Sequence, residues 1–438
     1  MASFSIPLTG LEADSIALNT IANDLSNMNT TAFKSETTNF SDLFYQQIGS
    51  TGSGNPIQVG AGVKVASNEI AFTQGSINST GNSTDAALNG NGFFIVGNGN
   101  GGYEYTRAGN FTQDTNGNLV AANGMSVMGY PAVNGVVNTN APLAAIDIPL
   151  AGQVQQPQAS TTMSMTANLD SATPAGTQFP AEVTVYDSLG EPHVATVTFE
   201  PGAVANSWTY SVALPAADYS VAGGDAAPAA ITGTMTFDTN GNLIQVQPTG
   251  AANPSNVGTA AGDVQSIDLN FNPAATNVLA DGAAGLDIQW TLLGSGGTPN
   301  ISQVYTASAV SGTDANGYKS GTFQSFTINS DGTVSAKYSN GQNQTVGQIA
   351  LANVTNLQGL QLLGDGDYAT TLASGTASIG AAGTGGLATI EDDALEASNV
   401  NISSEFSDLI VAQRAFEANA KSVTTFDTVT QDTINMVH

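Results

Sequence analysis

Residues 402–437 read ISSEFSDLIVAQRAFEANAKSVTTFDTVTQDTINMV, and positions on one face recur every seven residues. Ile402, Leu409, Phe416, Val423, Thr430 and Val437 mark the repeat, and Phe406, Ala420 and Ile434 support the same face. Spacing by seven predicts a long helix with an a/d seam, not a strand. Ser403 or Ser404 is placed to cap it, and Glu405 and Asp408 suit its first turn.

The opposite end carries a matching stripe. Leu11, Leu18 and Leu25 are seven apart, and Ile21 and Met28 each follow one of them by three. This predicts a helix of roughly 24 residues, about 36 Å long. Asp14 interrupts one inner position. A single stripe of this kind fits a helix packed on its own core. Two of them, at opposite ends of the chain, favour pairing with each other and with copies from neighbouring subunits, because neither is comfortable alone in water.

Between the ends, turn signals dominate. Residues 111–120 (FTQDTNGNLV), 237–246 (FDTNGNLIQV) and 326–334 (FTINSDGTV) each set an Asn-Gly or Asp-Gly pair among alternating apolar residues, a hairpin device. From about 70 to 395 the chain reads as β structure. No Lys or Arg occurs between Arg107 and Lys319, and residues 151–318 are rich in Ala, Gly, Thr and Pro. With strand-like runs at 181–186, 194–199 and 286–293, that stretch reads as an outer β domain inserted into an inner one. The expected class is mainly β and multi-domain with a terminal α-helical coiled coil. Terminal helices occupy 1–35 and 398–438, a connecting linker 36–70, a discontinuous inner β domain 71–150 and 319–397, and the outer β domain 151–318.

The bulk numbers exclude several functions. Among 438 residues, seven Lys plus Arg stand against 35 Asp plus Glu, a formal net charge of −28. That balance opposes nucleic acid and an anionic membrane surface, both of which need a basic face. There is no cysteine, which removes disulfides, thiol catalysis and thiolate metal sites. Neither a cleaved leader nor a membrane-spanning apolar run is visible, so insertion into a membrane is not expected.

Catalytic and metal constellations also fail. Gly97, Gly99 and Gly102 form a GxGxxG, but YEYTRAG follows where a dinucleotide site needs a helix, so a hairpin turn is expected. The chain has two histidines, His193 and His438. A triad or a metal cluster would rest on His193 alone, whose setting before a strand run reads as an ordinary surface histidine. The Asp-Thr-Asn-Gly turns lack the closing Glu of a calcium loop. No catalytic residue, cofactor or metal is expected.

Four stretches carry a more specific signal. They are residues 23–34 (NDLSNMNTTAFK), 74–96 (QGSINSTGNSTDAALNGNGFFIV), 105–130 (YTRAGNFTQDTNGNLVAANGMSVMGY) and 395–419 (LEASNVNISSEFSDLIVAQRAFEAN). Together they resemble the rod and hook axial proteins of the bacterial flagellum. The resemblance falls on Asn27, Asn29, Phe33 and Lys34; on Gly92, Phe93, Phe94, Arg107 and Gly109; and on Asn399, Val400, Gln413 and Arg414. It is weak across 151–300. Ala32 stands where the family usually has glycine, so the bend there is expected to differ slightly. The large insertion and residues 317–364, with KYSNGQNQ at 337–344 and QIALANV at 348–354, resemble the hook branch.

The resemblance implies a structural subunit, not an enzyme. It would polymerise with itself into a curved, flexible tube that joins rod to filament and transmits torque. Its end helices would line a channel. Leu11, Leu18, Ile21, Leu25, Met28, Ile402, Phe406, Leu409, Phe416, Ala420 and Val423 are the expected assembly residues. Implied partners are the rod, the hook cap, the hook–filament junction proteins and the type III export apparatus, with export outside the cell and no cleaved signal peptide. Residues 40–44 (FSDLF) fit either an export-recognition segment or a buried helix end. Arg107, Arg414 and Lys421 are candidates for intersubunit ion pairs. Competing readings are a distal rod subunit, and a secreted acidic adhesin or carbohydrate-active enzyme.

Overall fold

The protein is described by a computed structural model covering residues 5–50, 52–97, 101–219, 228–272 and 279–436. Gly99, Val437 and His438 lie outside the described residues. The chain forms two compact units. One comprises residues 1–150, 325–337 and 343–438, and the other 151–324 and 338–342. Residues 319–324 therefore belong with the inserted stretch, not with the inner domain to which the sequence reading gave them.

In the first unit, helices α1 (Ser5–Ser26) and α2 (Ile402–Met436) flank β structure, as the sequence reading expected. The central strands run in the order Asn343–Asn353, Ser126–Val133, Phe93–Gly97, Tyr103–Thr106, Asp367–Ala369 and Gln361–Gly364. Early and late strands interleave, with Gly129 opposite Ile349 and Leu351 opposite Phe94. Both faces of Phe93–Gly97 are covered, so its apolar run is continuous rather than alternating. On one face Phe93, Phe72 and Tyr368 pack with ring centroids 5.5–5.9 Å apart. On the other Phe94 meets Phe111 edge-on at 5.0 Å. Such ring pairs add about 0.5–1.5 kcal/mol each beyond burial.

Segment 36–70, expected as a linker, is instead folded. Glu36–Asp42 pairs antiparallel with Val63–Ile70, and Gln46–Ser50 with Pro56–Val59. Residues 40–44 are neither helical nor buried, since Phe40 is 48% and Phe44 93% exposed.

The second unit stacks two sheets. One is antiparallel in the order Phe179–Tyr186, Pro192–Pro201, Ser207–Ala213, Ile231–Phe237, Leu243–Pro248 and Ser255–Asn256. The other centres on Thr162–Asp170, which pairs in parallel with Asp287–Thr291 and Ile301–Val304 and antiparallel with Ala309–Ala315. Burial alternates along these strands, so each sheet gives one face to a shared core. Trp290, Tyr210, Phe199, Met163 and Met165 are its largest fully buried members.

All three expected hairpins form. Gly117, Gly241 and Gly332 take φ of 99°, 85° and 84°, the left-handed region that the turn demands. Asp114 accepts the backbone N–H groups of Asn116 and Asn118, and Asp238 those of Asn240 and Asn242. Those bonds hold both carboxyls below the usual range; the largest contribution comes from the Asn118 side-chain amide for Asp114 and the Asn242 backbone for Asp238. The Asp-Thr-Asn-Gly motif is thereby explained by turn geometry. Gly97 and Gly102 likewise bracket a hairpin, Gly97 pairing with Tyr103.

Candidate functional site

The two helices lie side by side. Gly10 of α1 faces Asn419 of α2 so closely that an added Cβ would sit 2.7 Å from Asn419 Nδ2. The same amide donates to Asp14 Oδ2 at 2.8 Å, which gives the interrupting Asp14 its place. At the other end of α1, Asp24 feels the charge of Glu405. Fourteen residues separate Gly10 from Asp24, and fourteen separate Glu405 from Asn419. The helices are therefore antiparallel, and Ser5 falls level with Thr424. Residues 425–436 of α2 extend beyond the described start of α1.

The half-buried residues of α2 include Glu405, Leu409, Ala412, Phe416, Asn419, Val423 and Phe426, in alternating steps of four and three, the period of a two-helix seam. Leu409, Phe416 and Val423 fall on it as expected. Ala420 is half-buried beside it. Ile402 and Phe406 do not join it. They are 45% and 52% exposed and share a flanking face with Ile410, 59% exposed. No residue of the 35-residue α2 is fully buried.

On α1 the buried face is also not the leucine stripe. It consists of Pro7, Gly10, Ala13, Ala17, Thr20 and Asp24. Small residues let the helix approach the strands, where Thr20 Oγ1 meets Thr38 Oγ1 at 3.1 Å and Thr9 Oγ1 accepts from Val63 N at 3.3 Å. Leu11, Leu18, Ile21 and Leu25 are half-buried about a quarter-turn away, and Met28 is exposed. Asn401, not Ser403 or Ser404, caps α2. Its Oδ1 accepts from Ser403 N at 3.0 Å and Ser404 N at 3.3 Å.

Beneath the helices sits a buried charged clasp. Glu396 Oε1 accepts from Lys34 Nζ at 2.5 Å and Gly75 N at 2.9 Å, and Oε2 accepts from Arg107 Nε at 3.1 Å and is ion-paired with Nη2 at 3.0 Å. Lys34 also donates to Thr73 O, and Arg107 to Gly90 O and Gly92 O. Burial holds the Lys34 ammonium below its usual range, against the pull of Glu396. Of the three candidates for intersubunit ion pairs, Arg107 is thus paired inside the subunit. Arg414 pairs with Glu417 at 2.9 Å on the exposed surface of α2. Gln413 and Lys421 are also exposed there.

The clasp fastens three strands of chain that are remote in sequence. Asn399 accepts from Ser35 N at 2.8 Å and donates to Ala71 O at 2.6 Å, and Ala32 N donates to Glu396 O at 2.8 Å. Phe33 O accepts from Asn399 N, and Val400 is half-buried next to it. Asn27 closes the end of α1 through Asn23 O, while Asn29 is exposed. Glycines permit the close approach. A Cβ on Gly109 would lie 1.6 Å from Ala86 O, and Gly92, at φ 131°, comes near Ala352 O. Glu396 and Asn399 thus join Lys34 and Arg107 in one joint. Glu396 was missed among the candidates although it lay within a quoted motif, because its partners are 289 and 362 residues away.

Ala32 sits at φ 55°, so the bend of a glycine is retained despite the methyl. A left-handed non-glycine costs about 1–2 kcal/mol, part of which glycine returns as unfolded-state entropy. Ala32→Gly is expected to raise the denaturation free energy by roughly 0.5–1 kcal/mol; a lower denaturant midpoint would contradict this.

Asp24 Oδ2 accepts from Glu36 N at 2.9 Å, while Oδ1 is buried without a partner. Burial pushes its pKa up from 3.8 to about 6. The folded state thus holds this proton more tightly than the unfolded one, and stability is lost as pH rises from about 4 through 6. Asp24→Asn keeps the acceptor without the charge. Its stability advantage over the wild type is expected to open between pH 4 and 6.5 and stay level above 7, as read by urea titrations. A gap independent of pH would count against the assignment.

Among the described residues, no helix is long and apolar enough to cross a membrane. Three family profiles match the chain. "Flagellar hook protein FlgE/F/G D1 domain" covers residues 87–168, "Flagellar basal body protein FlaE D2 domain" 158–318, and "Flagellar basal body rod FlgEFG protein C-terminal" 391–436. The flagellar hook protein FlgE of Salmonella typhimurium is 36% identical over 451 residues, covering 99% of this chain and 100% of the relative. That of Escherichia coli is 34% identical over 447 residues with the same coverage, and that of Treponema pallidum 32% over 468, covering 100% and 99%. A crystal structure of the Helicobacter pylori hook protein FlgE2 shares the fold at a TM-score of 0.52, with 14% identity, over 73% of this chain and 100% of that one. The rod, adhesin and carbohydrate-active readings find no support in these likenesses. With relatives above 30% identity along its whole length, the chain belongs to the flagellar hook protein family.

Proposed function

We propose that the protein is a structural subunit of the flagellar hook that polymerises through its terminal helices, while its β units form the outer wall of a curved, flexible tube. One observation carries this reading. Helix α2 runs 35 residues, about 53 Å at 1.5 Å per residue, yet buries none of them fully and leaves Ile402, Phe406, Ile410 and Val411 exposed. The β units have their own cores and need no such help. A helix so exposed gains its stability from neighbours. Contacts between unlike faces of successive copies do not close into a ring, so they build a helical tube.

The finer reading follows the family resemblance. The subunit works mechanically, without catalysis, and transmits torque from rod to filament. It leaves the cell through the type III apparatus. The rod, hook cap and hook–filament junction proteins are its other partners. The unit of residues 1–150, 325–337 and 343–438 supplies the inner β domain, and that of 151–324 and 338–342 acts as the outer one.

Ile410→Asp tests the reading at one side chain. Under salting-out conditions the variant is expected to stay dispersed, with monomer stability within about 0.5 kcal/mol of the wild type because the site is exposed in the subunit. Tubes of normal length from Ile410→Asp would contradict it.

A further inference from the structure

The sequence reading placed His193 on the surface, but it is buried, because alternation along Pro192–Pro201 turns it inward opposite Val185. It is ringed by carboxylates. Its Nε2 lies 3.4 Å from Asp187 Oδ2, and its Nδ1 lies 3.0 Å from Asp218 Oδ2. Asp281 completes the group: one ligand atom each from Asp187, His193 and Asp281 lies within 4.8 Å of the others. All four residues belong to the second unit.

We infer that Asp187, His193 and Asp281 form a binding site for a divalent transition-metal cation of the zinc type, with Asp218 orienting the histidine from behind. Each carboxylate is already half committed. Asp187 Oδ1 accepts from Leu189 N at 2.8 Å and Glu191 N at 2.9 Å, and Asp281 Oδ1 accepts from Ala283 N at 3.0 Å. Those bonds fix the carboxyl planes, and the Asp187 and Asp281 side chains are hydrogen-bonded to each other, a contact that a cation held between them would replace. Ligands about 2.0–2.2 Å from a tetrahedral zinc ion stand roughly 3.4 Å from one another, and the Nε2-to-Oδ2 separation matches. That distance is long for a charge-assisted hydrogen bond, which closes to about 2.7–2.9 Å.

The independent sign is an unsettled imidazole. His193 is 95% buried, yet neither its Nδ1 nor the facing Asp218 Oδ2 completes a well-aligned hydrogen bond. A cation on Nε2 places the ring hydrogen on Nδ1, where Asp218 accepts it, the arrangement that usually backs a metal-bound histidine. One imidazole with carboxylates suits zinc-type ions; calcium prefers six to eight oxygens. The site joins four segments, at 187, 193, 218 and 281. In a chain without cysteine, a bound ion would cross-link them much as a disulfide does.

The test uses the full chain, stripped with chelator and then titrated with Zn²⁺, Mn²⁺, Mg²⁺ and Ca²⁺ by calorimetry and thermal melting. The expected result is one Zn²⁺ per chain, a rise of several degrees in the melting of the second unit, and weak or absent Ca²⁺ and Mg²⁺ binding. His193→Gln should abolish binding. Because that buried change can impair folding, Asp281→Asn at the exposed ligand provides the second variant and should also lose Zn²⁺. Asp218→Asn should weaken it about 10- to 100-fold. No Zn²⁺ bound at micromolar concentration, equal binding of all four ions, or binding unchanged in Asp281→Asn would overturn the inference.

Discussion

Glu396→Gln is expected to unfasten the first unit, costing about 3–5 kcal/mol and abolishing tube formation at ordinary temperature. In the folded protein this carboxylate accepts three hydrogen bonds, from Lys34, Gly75 and Arg107, and its Oε2 also lies 3.0 Å from Arg107 Nη2. The site holds two cations and one anion with almost no water contact, Lys34, Arg107 and Glu396 being 3%, 6% and 1% exposed. Glutamine removes the only negative charge of the three and turns an N–H₂ toward a partner that can only donate. The comparison with Lys34→Met sharpens the prediction. Losing Lys34 leaves a neutral Glu396–Arg107 pair, so it should cost less than losing Glu396. Denaturation of both single variants and the double variant reads this directly. A Lys34→Met penalty equal to or above that of Glu396→Gln would contradict the charge argument.

Trp290→Ala is expected to cost the second unit about 3–5 kcal/mol while leaving the first intact. Trp290 is fully buried, with ring centroids 5.7 Å from Tyr210 and 6.2 Å from Phe199, both nearly edge-on. Its removal opens a cavity that the two sheets cannot close, since their strands are pinned by continuous ladders. For a unit of this size the penalty lowers the melting temperature by roughly 10 °C. Scanning calorimetry should show one transition moving and the other fixed. A shift of both together would mean that the units do not unfold separately.

Much of this was legible in the sequence because the signals were local. Heptad spacing located both helices, and Asn-Gly and Asp-Gly pairs located the hairpins, since period and turn chemistry act within a few residues. Residues 395–419 and 105–130 carry the family resemblance in the sequence itself. What escaped depended on contacts distant in sequence. The stripe of Leu11, Leu18 and Leu25 is the most apolar line on α1, yet small residues line the buried face, because close approach to strands selects for size over hydrophobicity. His193 reads as a surface residue until Asp218 and Asp281 are brought beside it. Segment 36–70 lacked a clean alternation because most of its strand residues are at least partly exposed on both faces.

Negative-stain electron microscopy of the full chain beside a chain lacking residues 1–30 and 400–438, both under salting-out conditions, tests the central claim most directly. The truncation removes both helices but keeps Lys34, Arg107 and Glu396, so the β units should remain folded. Curved tubes from the full chain and dispersed particles from the truncated one are the predicted result. Tubes from both would place assembly in the β units and contradict the account.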